Sequence, residues 1–266
     1  EDGIRDSVAS RGLGDVYKRQ IDGGAGTDSM TVTNTSAITA GTVTNVETIT
    51  IDVDTDSDTL ALAKVSGLTT LNLTSSINSS VANVTGLNSG ATVVNADTQV
   101  ITATIDTAAA ATTTINAQVD MSGGITITDA ATVTITNTAA NDTDSTSLAL
   151  DTVDTTRLDV DAGTAGDLDI GAVTATNKLA TVDLSTLTTG QVLAVDTIVD
   201  ADALTSITLT AAGGDLTIGA IGGSGNAEAL STITVSATNN ANATLGVLTV
   251  DASPNGTSLE SSAAGL

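Results

Sequence analysis

The six residues Leu68–Leu73, Leu-Thr-Thr-Leu-Asn-Leu, set a pattern that the chain keeps returning to. The same apolar-polar-polar-apolar-polar-apolar order stands at Val46–Ile51, Leu204–Leu209 and Leu230–Val235, and at Leu179–Leu184 with small Ala180 in the second place. Neighbouring copies start 22, 25 and 26 residues apart (46 to 68, 179 to 204, 204 to 230). Recurrence at a period in this range marks a repeat architecture, in which each unit buries its apolar face against the next. The internal spacing selects strand over helix. Positions 4 and 6 share one face of a strand, and the intervening residues are rich in β-branched Thr, Val and Ile. Position 1 has the opposite parity. It joins positions 4 and 6 inside only if the chain turns a corner or bulges just after it.

Composition agrees with stacked strands. Thr occurs 52 times, His, Cys, Trp and Phe are absent, and Pro254 is the one proline. Thr and Val suit a half-buried pleated surface, and outward Thr side chains can hydrogen-bond along a stack. Positive mean hydropathy and Val, Ile and Leu at strand spacing throughout argue against a disordered acidic chain. The sequence therefore predicts an all-β fold, an elongated parallel β-solenoid (β-helix) of stacked strand repeats with coils of 22–26 residues. Its core is made of aliphatic residues and Ala, without the large areas that aromatics bury.

Residues 1–20 read differently. Asp15-Val-Tyr-Lys-Arg-Gln20 back-translates to GATGTGTATAAGAGACAG, which resembles the transposase mosaic end of sequencing adaptors. The stretch also holds the one aromatic, Tyr17, and four of the seven basic residues. It is set apart as a non-native adaptor-derived tail. Residues 21–266 are then one solenoid repeat domain, expected to be truncated at both ends. That domain keeps Lys64, Arg157 and Lys178 against 27 acidic side chains, four of the 31 acids lying in the tail, so its formal charge is still −24.

One stretch carries the spacing of a ligand loop. Gly23-Gly-Ala-Gly-Thr-Asp-Ser-Met-Thr31 fits the calcium-binding nonapeptide G-G-x-G-x-D-x-U-x, with Met30 as the apolar U. Gly23, Gly24 and Gly26 permit a tight turn whose carbonyls can face a cation, and Asp28 adds a hard carboxylate oxygen. Ile21 stands nine residues before Met30, where the U of a preceding nonapeptide would fall. The same residues also read as a plain glycine turn ahead of a strand. A second acidic stretch follows at Asp52-Val-Asp-Thr-Asp-Ser-Asp58. If extended, it sets Asp52, Asp54, Asp56 and Asp58 on one side, as a solvated edge or as a calcium site. An EF-hand is excluded. Counting from Asp52 or Asp54 puts Ala63 or Val65 at the twelfth position, where Glu is needed, and the mid-loop Gly is missing. Asn141-Asp-Thr-Asp144 and Asp159, Asp161, Asp167 and Asp169 are weaker versions of the same choice.

Between the copies, shorter strands are expected at Thr92–Val94, Val100–Ile105, Thr113–Ile115, Ile125–Thr128, Thr132–Thr136, Leu148–Leu150, Leu158–Val160 and Leu168–Ile170. Many are ten to twelve residues apart, which gives two strands per coil. The last expected strand is Leu245–Val250, with Ser253–Leu266 as a frayed or truncated end.

Chemistry narrows the function classes. Without His or Cys there is no imidazole base, no thiol nucleophile and no zinc site of the usual kind. Carboxylate pairs keep a glycosidase arrangement open, and a β-helical polysaccharide lyase would have only Lys64, Arg157 or Lys178 as its basic residue. The expected class is structural and not enzymatic. Strong acidity opposes nucleic acid and anionic membrane surfaces and favours divalent cations. No run approaches the roughly 20 apolar residues needed to span a bilayer.

The chain resembles bacterial surface-layer and related calcium-binding exported proteins of the RTX type. The likeness is carried by Gly23–Thr31, by the strand type Asn45-Val-Glu-Thr-Ile-Thr-Ile51, and by an acidic, Thr-rich, Cys-free composition. It implies a calcium-stabilised solenoid, export by a type I pathway, and self-association into a lattice on the bacterial cell surface. Cell-surface glycan would be reached through further domains. The nonapeptide appears once and not as an array, which departs from the type. The stalk of a large secreted adhesin and a biofilm-matrix protein are the alternatives.

Overall fold

A computed structural model describes residues 20–33, 37–39, 42–52, 58–74, 80–87, 91–96, 100–117, 124–137, 143–150, 155–162, 167–174, 178–199, 202–221, 229–248 and 258–264. Every strand pairing among them is parallel. The chain is a β-solenoid, as the repeat predicts. Among the described residues no helix is long and apolar enough to cross a membrane.

Two ladders run the length of the stack. The first takes Ser29–Thr33, Thr48–Asp52, Thr70–Thr74 and Ala91–Ala96, then the C-terminal halves of Val100–Ala117 and Gly124–Asn137. It continues through Arg157–Asp161, Thr181–Thr186, Ser206–Ala211, Thr232–Thr238 and Ser258–Ala264. The second takes Ala37–Thr39, Asp58–Ala61 and Ser80–Leu87, then the N-terminal halves of the same two long strands. Thr143–Leu150, Leu168–Thr174, Val192–Val199, Asp215–Ile221 and Ala243–Leu248 complete it. A short third ladder of Gln20–Asp22, Thr42–Thr44 and Val65–Ser66 closes the N-terminal coils on another side.

The predicted inward set lies inside. Ile49, Ile51, Leu71, Leu73, Val182, Leu184, Ile207, Leu209 and Ile233 are buried, and Val235 is partly buried against the same core. Each such side chain contributes about 1.5–3 kcal/mol by leaving water. Position 1 is inside as well, at Val46, Leu68, Leu179, Leu204 and Leu230.

The device that turns position 1 inward is a repeated bulge. The N–H groups of Glu47 and Thr48 both donate to the Asp28 carbonyl, and those of Thr69 and Thr70 to the Glu47 carbonyl. Ala180 and Thr181 do the same to Thr156, Thr205 and Ser206 to Ala180, and Ser231 and Thr232 to Thr205. Two residues of one coil thus oppose one residue of the coil before, and the chain bends there. The position-2 hydroxyl often adds a third donor to that carbonyl: Thr69 to Glu47 at 3.1 Å, Thr205 to Ala180 at 2.9 Å, Ser231 to Thr205 at 3.1 Å. Where Ser or Thr follows the apolar residue, as in three of these five copies, its hydroxyl caps the carbonyl of the bulge; Glu47 and Ala180 stand there in the other two.

Three features depart from the sequence reading. The segments expected as separate strands at Val100–Ile105 and Thr113–Ile115 belong to one strand, Val100–Ala117. Ile125–Thr128 and Thr132–Thr136 likewise join as Gly124–Asn137. Each long strand crosses from one ladder to the other by a local irregularity, between Asp106 and Thr112 in the first and with left-handed Asp129 (φ 64) in the second. Ser258–Ala264, within the stretch expected to fray, is a strand in full register on Thr232–Thr238. The outer edge of the preceding coil offers unpaired N–H and C=O groups that template it, and Leu259 falls opposite Ile233.

Candidate metal site

The nonapeptide forms the corner between the Gln20–Asp22 strand and the Ser29–Thr33 strand. It stacks on the next coil at Thr44–Thr48. The Gly23 N–H donates to the Thr44 carbonyl at 2.9 Å. Gly23 is buried with its Cα against the Asn45 carbonyl, so that a β-carbon there would collide with the oxygen and crowd the Asp28 side chain. Gly24 takes φ +89, which only glycine adopts without strain. In the two following coils Asn45 (φ 55) and Gly67 (φ 87) hold left-handed backbone at the equivalent corner, so the turn is repeated and the glycine loop is its longer form.

Asp28 joins the two coils through its main chain. Its N–H donates to Glu47 Oε2 at 2.8 Å, and its carbonyl accepts from Glu47 and Thr48. Its side-chain Oδ2 is shielded from solvent and has no hydrogen-bond partner among the described residues. An unpartnered carboxylate oxygen beside a cradle that a β-carbon would fill suits a hard cation with oxygen ligands. The fit is that of a half-site, because among the described residues no three acidic side chains converge on one point.

Asp22, Asn45 and Glu47 organise this corner and are missed by the motif. Asp22 Oδ1 accepts from the Asn45 side-chain amide at 2.8 Å and from the Gly24 N–H at 3.1 Å. The Asn45 amide first, and then the Gly24 N–H, hold the Asp22 carboxyl below its ordinary value. The signal was present as spacing: Asn45 follows Asp22 by 23 residues, one coil length.

The second acidic stretch is divided. Asp52 ends a strand of the first ladder, in register with Thr33 and Thr74, while Asp58 opens a strand of the second, opposite Ala82. Asp54 and Asp56 lie outside the described residues. Further on, Asn141 and Asp142 lie outside the described residues, while the later acids Asp159 and Asp167 take structural partners. Arg157 Nη2 sits 2.9 Å from Asp159 and 2.5 Å from Asp183, the residue in register with Asp159 one coil on. The bond to Asp159, ahead of the field of Asp183, raises the guanidinium pKa. Asp167 Oδ1 accepts the Val192 N–H at 2.7 Å, and Asp215 Oδ1 accepts both the N–H and the side-chain amide of Asn242. These carboxylates cap backbone donors between coils. No protein-family model, no curated protein and no solved structure matches the chain.

Proposed function

We propose that this chain is a structural extracellular protein, the calcium-stabilised part of a surface-layer lattice on a bacterial cell. The observation that carries the reading is the corner at Gly23–Asp28, where a carboxylate oxygen is held inside a stacked turn with no partner among the described residues. The rest of the chain supports it. A parallel solenoid presents two long, regular sides built from the same repeat, and repetition of surface is what a lattice contact uses. A charge of −24 on a chain this size repels itself, and divalent cations lower that repulsion within a molecule and between copies.

The test is calcium addition to the purified full chain, beside chelator and sodium chloride of matched ionic strength, with electron microscopy and thermal melts. Ordered two-dimensional sheets in calcium alone, lost in Asp28→Ala, support the lattice. An elongated monomer whose melting point calcium raises supports the adhesin stalk instead. If sodium chloride raises the midpoint as much as calcium does and Asp28→Ala changes nothing, the corner is a glycine turn and the calcium reading falls.

A further inference from the structure

The polar side chains buried inside the described solenoid are Thr107, Thr155, Thr186 and Gln191. The three threonines each donate to a carbonyl of a neighbouring coil: Thr107 to Thr128 at 3.0 Å, Thr155 to Ala130 at 2.5 Å, Thr186 to Gly214 at 2.6 Å. Gln191 breaks this rule. It is 5% exposed, yet neither its Oε1 nor its Nε2 meets a hydrogen-bonding group among the described residues. Its main chain is fully used, with the N–H on the Thr188 carbonyl at 3.3 Å and the carbonyl accepting the Asp215 N–H at 2.7 Å. Buried side-chain amides with no partner on either end are rare, because each unmade bond leaves a desolvation cost uncompensated.

The surroundings restrict what can complete the amide. Val192 is in register with Asp215, and a β-carbon on Gly214 would collide with the Gln191 carbonyl, so the next coil sets a glycine beside Gln191. The Gly214 carbonyl already accepts the Thr186 hydroxyl. The amide asks for a donor at Oε1 and an acceptor at Nε2 at once. A cation satisfies the oxygen and faces the NH2 hydrogens, and an anion does the reverse. Water is neutral, small, and both donor and acceptor, and the Thr186 hydroxyl at the same corner keeps lone pairs that can receive a further bond.

We infer that Gln191 is a binding site for internal water at the corner between Thr181–Thr186 and Val192–Val199. The water completes the hydrogen bonding of the Gln191 side chain, which follows the loop Leu187–Gly190, whose backbone packs on Gly213 and Gly214 too closely for side chains there. It is held by the solenoid interior and exchanges only when the corner opens.

The experiment uses the full chain. Water–protein cross-relaxation on the Gln191 side-chain amide, read by NMR, is expected to show a long-lived water, and a high-resolution crystal structure to place its oxygen within hydrogen-bond distance. In Gln191→Met the water signal is lost and the melting temperature stays level or falls. The inference is overturned if no long-lived water contacts Gln191 in the native chain. It is equally overturned if Gln191→Met raises the melting temperature by several degrees, as removal of a truly unpaired amide would. The first readout needs no variant, so misfolding of the Met variant leaves the question decidable.

Discussion

Replacing Arg157 with Gln uncovers a pair of carboxylates that the solenoid holds in line. Asp159 and Asp183 are register partners on adjacent coils, about 4.8 Å apart by the spacing of strands. Two bare charges at that distance repel by about 0.9 kcal/mol in bulk water and about 3.5 kcal/mol at an effective dielectric of 20. Their side chains are 29% and 28% exposed and that of Arg157 is 46% exposed, so solvent screening takes the value well below the upper figure. The expected cost of Arg157→Gln is about 1–2 kcal/mol at low salt. It should fall by more than half in molar sodium chloride, where the Debye length is about 3 Å. Urea titration measures this without adding ions of its own, which guanidinium would. Asp183→Asn made in the Arg157→Gln background should recover much of the loss, because it removes one of the two repelling charges. A loss unchanged by salt, or not recovered by Asp183→Asn, would mean that the Arg157 stem matters through packing and that the charge argument is wrong.

Leu209→Ala, at a fully buried position, should lower stability by about 3–5 kcal/mol, and Leu245→Ala, only partly buried in a later coil, by less than about 2; urea midpoints check the order. Thr205→Val removes the 2.9 Å bond to the Ala180 carbonyl but leaves that oxygen two N–H donors. The cost should stay below about 1 kcal/mol, whereas Thr155→Val, buried and bonded to Ala130, should cost about 1–3 kcal/mol. Asp22 is held below the ordinary aspartate value in the fold, so its contribution is whole above that ordinary value and is lost as pH falls through the lower folded value. Asp22→Asn should flatten the acid limb of a stability–pH profile, and an unchanged limb would remove Asp22 from the account.

The strand repeat and its inward residues were legible because burial follows a side-chain period of two, which sequence records directly. The bulge was legible too, as the parity conflict of Leu68 with Leu71 and Leu73. The corner chemistry was read in part. Gly23, Gly24 and Asp28 follow from a local motif, but the partners Asn45 and Glu47 come from the next coil. Asp52–Asp58 looked like one acidic edge because local alternation says nothing about where a coil changes side.

Register was decided only by the stack. Leu71, the fourth residue of its copy, is paired through Val94, Ile115, Ile135 and Val160 to Leu184, the sixth residue of its own. The repeat has slipped by two residues between the copies. A slip of one would turn every apolar side chain outward, and the sequence forbids it. A slip of two keeps each residue on its face and lets the same N–H and C=O groups pair, so alternation alone leaves it open. What settles it is the length of each corner and the fit of side chains between coils, and both exist only once the coils are stacked.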